Sequence, residues 1–320
     1  MRRGSGCSLR GGWCRPAWRG RRGGWLGFGS GRSRHGDAAP ALLDIGFFGD
    51  TTGLHARFVR SPFGDARLVA VPPKYDYLAD GDVIGFDHAS RKFRTLYRRS
   101  SAHNSLLVTE RCNHYCLMCS QPPKDVDDRW ILSEIKESLP LIDRATRALT
   151  FTGGETLSDW EDFTGVLKEC RDRLPATAIQ VLTNGRAFSD SRIVDAWKNI
   201  GHPNLMAAIP VYASVDHVHD NVVQAKGAFD ETILGILKLK DRGQRVEIRV
   251  VLHALTAPII EDTGRWIARN LPFVDHVALM GLENTGFAIA NDAILWMDPI
   301  SSEAMRYSTW AAAPAAFARI

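Results

Sequence analysis

From residue 104 onward, short apolar segments typical of β-strands alternate strictly with amphipathic segments typical of helices. Such alternation favours a parallel sheet, because two parallel strands must be joined by a crossover that is usually helical. The pattern therefore predicts an α/β fold, either an open doubly wound sheet or a partial barrel. The six predicted strands cover residues 105–109, 148–152, 179–183, 205–212, 246–253 and 275–281.

The segments between these strands carry helical periodicity. The first clear helix is predicted to begin at Ser158, which forms a capping box with Glu161. A second helix is predicted to stop at Gly201, a third runs from Phe229 to Gly243, and the last covers 259–270. The apolar face of the first helix comprises Trp160, Phe163, Leu167, Cys170 and Leu174, and that of the second comprises Ile193, Val194, Trp197 and Ile200.

Residues suited to chemistry follow the carboxyl ends of the predicted strands. In parallel α/β folds the loops at this end of the strands form the functional face. We therefore expect one site there. A chance distribution would instead place such residues at both ends of the strands. In strand order the set is the cysteines 112–119, Gly153 to Glu155, Asn184 with Gly185, Ser214 with Asp216, His253, and Gly281 with Glu283.

The chain divides into four parts by composition. Residues 1–36 are rich in Arg and Gly and are predicted to be disordered, although a transit peptide or a basic nucleic-acid arm also fits. Residues 37–103 show alternating segments that predict a small β-rich domain. Residues 104–300 form the predicted barrel, and 301–320 form an Ala-rich, atypical tail that we interpret as a truncation or frame error.

Charge and hydropathy exclude two classes of function. The formal net charge of the chain is +4, but residues 1–36 contain nine arginines and no Lys, Asp or Glu. Residues 37–320 therefore carry a formal net charge of −5. A nucleic-acid role based on overall charge is therefore not expected. No apolar stretch reaches the ~18 residues that a membrane helix requires. The crowding of three of the six cysteines into eight residues predicts a metal site in a reducing, cytoplasmic compartment.

Cys112, Cys116 and Cys119 have the spacing C-x3-C-x2-C within one predicted loop. A four-iron cubane held by three cysteines leaves one iron without a protein ligand. An open coordination position separates a reactive metal centre from a structural one. We predict a [4Fe–4S] cluster whose open iron chelates S-adenosylmethionine (SAM), so that an electron from the reduced cluster cleaves SAM to a 5′-deoxyadenosyl radical.

A zinc site is the main alternative for these cysteines. Zinc usually has four ligands, and His114 lies inside the loop as a candidate fourth. A structural zinc site normally combines two short ligand clusters, however, and the sequence contains no second cluster. A two-cluster ferredoxin also lacks its second cysteine set. Buried thiols without a metal are the third interpretation.

Gly153, Gly154 and Glu155 directly follow a predicted strand. Paired glycines allow the backbone to approach a ligand closely, and a carboxylate can receive an ammonium group. A Gly-Gly turn after a strand is common, so this signal becomes specific only beside the cysteine loop.

The cysteine spacing followed by Thr152-Gly153-Gly154-Glu155 resembles the radical SAM superfamily, whose fold is a partial (β/α)6 barrel. The longer strings TERCNHYCLMCSQPPKD, FTGGET, VLTNGR, GAFDETILGI, VEIRVVLH and ALMGLENTGFA are similar to one branch, the His-Xaa-Ser system radical SAM maturases (HxsC). The resemblance covers roughly residues 40–300.

This resemblance implies both a substrate and partners. The substrate would be a ribosomally made peptide or protein with His-Xaa-Ser repeats, modified alongside a companion radical SAM maturase and an external electron donor. The alternatives are an activase or a small-metabolite enzyme of the same superfamily and, in another class, a non-catalytic zinc-binding interaction module. The resemblance also implies that the three cysteines bind the cluster and that Gly153, Gly154 and Glu155 meet the SAM amino group.

Further contacts are predicted from residue type and position. Glu247, Arg249 and His253 share one face of the fifth strand by its period of two. Arg249 is predicted to pair with the SAM carboxylate, although a structural Glu247–Arg249 contact explains it almost equally well. Asn184 is a candidate ribose ligand, and His253 is better explained as a core or rim histidine. Tyr212, Ser214 and Asp220 are weaker substrate-facing candidates, and no residue is assigned as catalytic.

The sequence departs from the family pattern at three places. Met118 replaces the usual aromatic residue before the third cysteine, and a polarizable methionine can fill the same space. Thr156 replaces the proline that usually follows Gly-Gly-Glu. The tail after Pro299 contains no cysteine, whereas the family continues into a cysteine-containing region, so an auxiliary cluster is not expected here.

Overall fold

The computed structural model describes residues 77–87 and 92–297, together with four strands nearer the N-terminus at 25–29, 42–48, 56–59 and 68–70. The tail at 301–320 and most of the Arg-rich segment at 1–36 lie outside the described residues. The predictions made for those two parts stay predictions.

Residues 104–281 contribute a six-stranded parallel sheet whose spatial order is β12-β11-β10-β9-β8-β7. Because each strand lies beside its neighbour in sequence, the sheet lacks the order reversal that defines a doubly wound fold. The architecture is the partial (β/α)6 barrel that the sequence predicts. Its strands are β7 Asn104–Thr109, β8 Ala148–Gly153, β9 Ala178–Leu182, β10 Leu205–Pro210, β11 Arg245–Leu252 and β12 His276–Gly281.

Helices connect these strands and cover the sheet. The predicted stop at Gly201 is confirmed, since this residue follows the helix with φ of +67°, a value that glycine adopts without strain. The short helix α4, after β10, was not predicted. The helices are α1 Trp130–Ser138, α2 Trp160–Arg173, α3 Ser191–Lys198, α4 Asp216–Val223, α5 Ala228–Asp241, α6 Ile260–Asn270, α7 Phe287–Ala290 and α8 Asp292–Leu295, with 3-10 turns at Leu139–Leu141, Arg186–Ser189 and Ala257–Ile259.

The predicted capping box at the start of α2 is wrong. The helix begins at Trp160, and its N-cap residue is Asp159, which makes no side-chain capping bond. The carboxylate of Asp159 instead pairs with Arg111 in the loop after β7. Ser158 lies one position too early and donates its backbone N–H to the carbonyl of Glu155 at 3.0 Å. A tertiary ion pair has replaced the local cap.

The core lies between the sheet and the apolar faces of the helices. Phe163 of α2 packs edge-on against Phe151 of β8, with 5.4 Å between ring centroids. Trp197 of α3 packs in the same way against Phe188, at 5.1 Å. All four side chains are fully buried, and truncating one such aromatic to alanine typically costs about 3–5 kcal/mol. The predicted apolar faces of these helices are therefore the ones that are buried.

A second six-stranded sheet precedes the barrel, in the order β4-β3-β2-β1-β5-β6. Its pairs are antiparallel except for β3 with β4. β1 lies near the end of the segment 1–36, and the prediction of disorder for that segment stays a prediction. The strands are β1 Trp25–Gly29, β2 Leu42–Phe48, β3 Ala56–Val59, β4 Leu68–Ala70, β5 Val83–Asp87 and β6 Lys92–Tyr97.

Polar contacts join the end of this sheet to the barrel. The hydroxyl groups of Tyr97 and Thr146 lie 2.8 Å apart in a buried hydrogen bond. Arg99 pairs with Asp143 at 2.6 Å between Nε and Oδ2, and it is mostly exposed. The buried hydroxyl pair is therefore the more specific of the two contacts, because exposed ion pairs contribute little to stability. Across the part of the chain that the structure describes, every helix is too short or too polar to cross a membrane.

Candidate functional site

The cysteine loop, residues 110–120, leaves the carboxyl end of β7 and is fixed by main-chain hydrogen bonds. The N–H of Tyr115 donates to the carbonyl of Val223 at 3.1 Å, and that of Leu117 donates to Val222 at 2.9 Å. The loop therefore rests on the carboxyl end of α4. Its three cysteines carry free thiols that are partly buried.

A buried carboxylate fixes the base of this loop. Asp128 accepts hydrogen bonds from the hydroxyl of Thr109 at 2.8 Å and from the N–H of Glu110 at 2.5 Å. Its second oxygen accepts from Nε of Arg111 at 2.8 Å. With three donors around it, Asp128 keeps its charge despite burial, and its pKa lies below the usual value.

The segment after β12 closes the other side of the loop. The N–H of Phe287 donates to the carbonyl of Cys119 at 2.8 Å. The side-chain amide of Asn291 donates to the carbonyl of Leu117 at 2.9 Å. The cysteine loop is therefore held between the ends of β10 and β12 as well as by its own strand.

The environment of the thiols disfavours their charged form. Burial raises the pKa of Cys116 to about 12, and repulsion from the neighbouring Cys119 and Cys112 acts in the same direction. Burial likewise raises the pKa of Cys112 to about 11. Three thiolates crowded in this way require a cationic partner, because otherwise their charges would be buried and uncompensated. A cationic iron–sulfur centre would meet this requirement.

The donor set suits a cluster better than a single ion. Within the described residues, no three His, Cys, Asp or Glu side chains are grouped closely enough to hold one metal ion. In a zinc site all thiolates bind one ion at about 2.3 Å, whereas a cubane binds each thiolate to a different iron. Three free cysteines in one loop can provide a cubane with three protein ligands and leave its fourth iron open.

Gly153 and Gly154 form the contact between the end of β8 and the cysteine loop. The N–H of Gly154 donates to the carbonyl of Thr109, and that of Glu155 donates to Arg111, both at 2.8 Å. A Cβ on Gly154 would lie 2.0 Å from the carbonyl oxygen of Arg111. Only glycine allows this approach, so the Gly-Gly pair is required by the packing of the two loops themselves.

Glu155 is fully buried and accepts three hydrogen bonds. One oxygen accepts from the hydroxyl of Thr183 at 2.6 Å and from the N–H of Leu157 at 3.0 Å. The other accepts from the N–H of Asn184 at 2.7 Å. Burial raises the pKa of Glu155, and these hydrogen bonds partly offset the rise. The carboxylate therefore ties the loop after β8 to the loop after β9.

Asn184 lies at the end of β9, as the sequence predicts, and its side chain is engaged by the protein. Its Oδ1 accepts from the N–H of Arg186 at 3.0 Å, which forms an Asx turn. Its Nδ2 donates to Oδ1 of Asn113 in the cysteine loop at 2.6 Å. The structure thus brings the predicted residue into contact with the cysteine loop.

Arg249 lies beside Glu247 on β11, with Nε 2.9 Å from Oε1. The same oxygen of Glu247 accepts from the side-chain amide of Gln180 on β9 at 3.0 Å. The structural contact that the sequence offers as an alternative is therefore present. It uses Nε of the guanidinium, which has five N–H donors in all.

The remaining candidates divide between the core and the turns. Met118 is buried against Tyr212 in an apolar cluster on the functional face. Asp220 accepts from the N–H groups of Gly227 at 2.5 Å and Phe229 at 2.9 Å, so it caps the turn into α5. Ser214 lies partly buried just before α4.

Three buried histidines on the functional face carry ring nitrogens without a hydrogen-bond partner among the described residues: His114, His219 and His253. In two of them, Nδ1 accepts a backbone N–H, from Tyr212 to His219 at 3.2 Å and from Leu255 to His253 at 3.3 Å. These contacts assign the proton to Nε2. Burial lowers the pKa of each ring to about 4.

Acidification is expected to destabilise the protein through these histidines. The folded-state pKa of His253, about 4, lies below the ordinary value of 6.5, so its contribution to stability is full above pH 6.5 and is lost as the pH falls toward 4. Between pH 7 and pH 5 we expect the free energy of unfolding to fall by about 2 kcal/mol for each such ring. Urea unfolding of the full chain at pH 5, 6 and 7 measures this loss. His253→Asn keeps an acceptor near Nδ1 but cannot titrate, so an unchanged pH slope in that variant would contradict the assignment.

The structure adds residues that the sequence analysis did not single out. Asn113, Arg111 and Asp128 all hold the cysteine loop, and each lies within 10 residues of one of its three cysteines in the sequence. Asn113 directly follows Cys112, and Asp128 belongs to the acidic run that precedes α1. Their position near the motif was the only signal available, because no local sequence pattern identifies their partners, which are 17 to 71 residues away.

A family model described as the Radical SAM superfamily matches residues 106–267, half of the chain. A comparison with curated proteins finds no match. Among solved structures, SuiB of Streptococcus suis bound to its precursor peptide SuiA is similar over 67% of this chain and 46% of that one, with a TM-score of 0.51 and 10% identity.

Two further structures are similar at the level of the fold. Coproporphyrinogen III oxidase (HemN) from Escherichia coli is similar over 65% of this chain and 51% of that one, with a TM-score of 0.51 and 15% identity. The protein anSMEcpe with bound AdoMet and a Cp18Cys peptide covers 65% and 58%, with a TM-score of 0.50 and 14% identity. The chain thus spans about half the length of these proteins.

Proposed function

The chain belongs to the radical SAM superfamily, and from this premise we propose that it modifies a ribosomally made peptide or protein of the His-Xaa-Ser type. Its cofactors are a [4Fe–4S] cluster and SAM. When bound, they supply a 5′-deoxyadenosyl radical that abstracts hydrogen from an unactivated carbon. The observation that carries the proposal is the C-x3-C-x2-C loop held on the functional face of a partial barrel.

Two considerations support a peptide or protein substrate. SuiB and anSMEcpe, whose folds are similar, are described in complex with peptides. The second consideration is the six-stranded sheet before the barrel, by analogy with peptide maturases, which often use an accessory domain to dock their substrates. HemN, with an equally similar fold, acts on a porphyrinogen. A small-metabolite substrate is therefore the second candidate.

The roles that we propose for individual residues follow from donors and acceptors. Cys112, Cys116 and Cys119 hold the cluster. The ammonium group of SAM is a donor, so it needs acceptors, and we assign these to the segment Gly153 to Glu155. A carboxylate has about four acceptor positions, so Glu155 keeps one beyond its three hydrogen bonds.

Arg249 is assigned to the SAM carboxylate. Glu247 engages only Nε, at 2.9 Å, so the terminal N–H groups of the guanidinium remain for a second carboxylate. Asn184 was predicted to bind ribose. Because its side chain already contacts Arg186 and Asn113, we assign it instead to positioning the cysteine loop, as argued below.

The proposed partners follow from the chemistry. Reductive cleavage of SAM consumes one electron, so an external electron donor must reduce the cluster. The branch that the sequence resembles works with a companion radical SAM maturase, which we propose as a second partner. Free thiols at all four described cysteines suit a reducing compartment such as the cytoplasm.

Anaerobic reconstitution of the cluster tests the cofactor assignment. We expect about four irons per chain and an EPR spectrum of the reduced protein that changes when SAM is added. Retention of zinc instead of iron, with no effect of SAM, would support the non-catalytic zinc module.

The substrate is then tested with a synthetic peptide that carries His-Xaa-Ser repeats, and its control has alanine at every histidine. We expect release of 5′-deoxyadenosine and a change in peptide mass only with the first peptide. Equal release with both peptides, and neither modified, would refute the His-Xaa-Ser assignment while leaving SAM cleavage intact.

A further inference from the structure

We propose that Asn113 and Asn184 form a hydrogen-bonded clasp that positions the cysteine loop over the barrel, so that neither side chain serves as a ligand of SAM. The inference rests on the proposed role of Cys112, Cys116 and Cys119 as cluster ligands. The clasp is the single hydrogen bond from Nδ2 of Asn184 to Oδ1 of Asn113, which is 2.6 Å long.

One end of the clasp is rigid. Asn184 is buried, and its backbone N–H donates to Glu155 at 2.7 Å. Its carbonyl accepts the hydroxyl of Thr232 at 3.0 Å. Its own Oδ1 closes the Asx turn to Arg186 at 3.0 Å. Three separate contacts thus fix the asparagine, and its Nδ2 can point in one direction only.

The other end of the clasp lies in a loop with few other restraints. Asn113 is exposed and sits between Cys112 and His114. The main-chain bonds to α4 begin only at Tyr115, and those to β8 stop at Arg111. Among the described contacts, the clasp is therefore the tie between the barrel and the stretch 112–114, apart from the packing of the buried His114 ring.

Hydrogen bonds through Glu155 connect the clasp to the rest of the site. Glu155 receives hydrogen bonds from Thr183 and Asn184 of the loop after β9, while its own N–H donates to Arg111 of the cysteine loop. The loops after β7, β8 and β9 are thus joined in a closed circuit, which the clasp completes. Removing the clasp leaves Cys112 free to shift relative to Gly154. The two residues are close: a Cβ added to Gly154 would lie 3.2 Å from the Cβ of Cys112.

The test compares alanine variants of the full chain. Asn113→Ala removes the acceptor at an exposed position, so the fold is expected to survive. Asn113→Asp keeps an acceptor oxygen and is the conservative rescue. Asn270→Ala is the matched control, since it removes an exposed asparagine whose amide donates to the carbonyl of Trp266, on α6.

Hydrogen exchange on the apoprotein reads the clasp without any cofactor. A hydrogen bond of this kind contributes about 1 kcal/mol, so Asn113→Ala should speed exchange of the amides in 112–114 about fivefold. Asn113→Asp and Asn270→Ala should leave these amides at the wild-type rate. Identical rates in Asn113→Ala and wild type would overturn the proposal, whether or not the protein binds iron.

Kinetics of the reconstituted enzyme provide the second readout. In Asn113→Ala we expect near-normal iron content, a KM for SAM raised about fivefold and a smaller change in kcat, with a weaker EPR response to SAM. Asn184→Ala should act in the same direction but more strongly, because it also removes the Asx turn to Arg186. The double variant should be no worse than Asn184→Ala, since the clasp is already lost in that single variant. Strictly additive effects would instead identify two independent SAM ligands. Failure of the wild type to bind iron would refute the proposed function alone, since the exchange experiment decides the clasp.

Discussion

Replacing Cys116 with serine is expected to abolish SAM cleavage and reduce iron from about four to less than one per chain. Burial and the neighbouring cysteines already raise the pKa of this thiol to about 12, so the site is difficult to ionise even for sulfur. A serine hydroxyl is a much weaker acid, and it would remain a neutral, poor ligand. With two cysteines left, the cubane would have two unprotected irons. Iron analysis after anaerobic reconstitution, together with 5′-deoxyadenosine release, measures both effects.

Cys170→Ala is the matched control for this experiment. Cys170 is fully buried on the apolar face of α2, away from the cysteine loop, and carries a free thiol. Its removal should leave iron content and SAM cleavage at the wild-type level. If Cys116→Ser still cleaved SAM while holding four irons, the ligand assignment would be wrong.

Replacing Gly154 with alanine is expected to separate the loop after β8 from the cysteine loop. The added Cβ would meet the carbonyl oxygen of Arg111 at 2.0 Å and its carbonyl carbon at 2.6 Å. Both are backbone atoms, so no side chain can rotate away. The bonds from Gly154 to Thr109 and from Glu155 to Arg111 must lengthen or break. We expect a loss of about 3 kcal/mol in the free energy of unfolding of the apoprotein.

Urea unfolding and iron analysis test this expectation, and Gly264→Ala controls for the chemistry of the substitution. Gly264 lies inside α6, and a Cβ there meets no atom within 4 Å. Alanine is a better helix former, so this variant should gain up to about 1 kcal/mol. Wild-type stability and iron content in Gly154→Ala would show that the two loops are not in close contact.

The sequence predicted the barrel well because its signals are local. Each predicted barrel strand overlaps the observed one with its bounds displaced by two residues at most, since buried parallel strands are short apolar runs with clear ends. The helix stop at Gly201 is equally local. The helix α4 escaped prediction because it spans only eight residues, and five of the eight in DHVHDNVV are polar.

The contacts within the site were beyond the sequence because they join distant segments. Ser158 and Glu161 satisfy the pattern of a capping box, but an ion pair between Asp159 and Arg111 replaces it. Glu155 accepts hydrogen bonds from three protein donors in addition to the ligand role predicted for it, and nothing in the sequence pointed to these donors. No periodicity in a single sequence reports such partners.

The hydrogen bond from Asn291 to the cysteine loop has a consequence for biosynthesis. Asn291 follows its partner Leu117 by 174 residues, so the cysteines leave the ribosome long before Asn291 is synthesised. At about 5–20 residues per second, the interval is roughly 9–35 s. During this time the cysteine loop contacts the segments that precede residue 291 alone. A cluster inserted before residue 291 is synthesised would therefore occupy a loop that still lacks this contact.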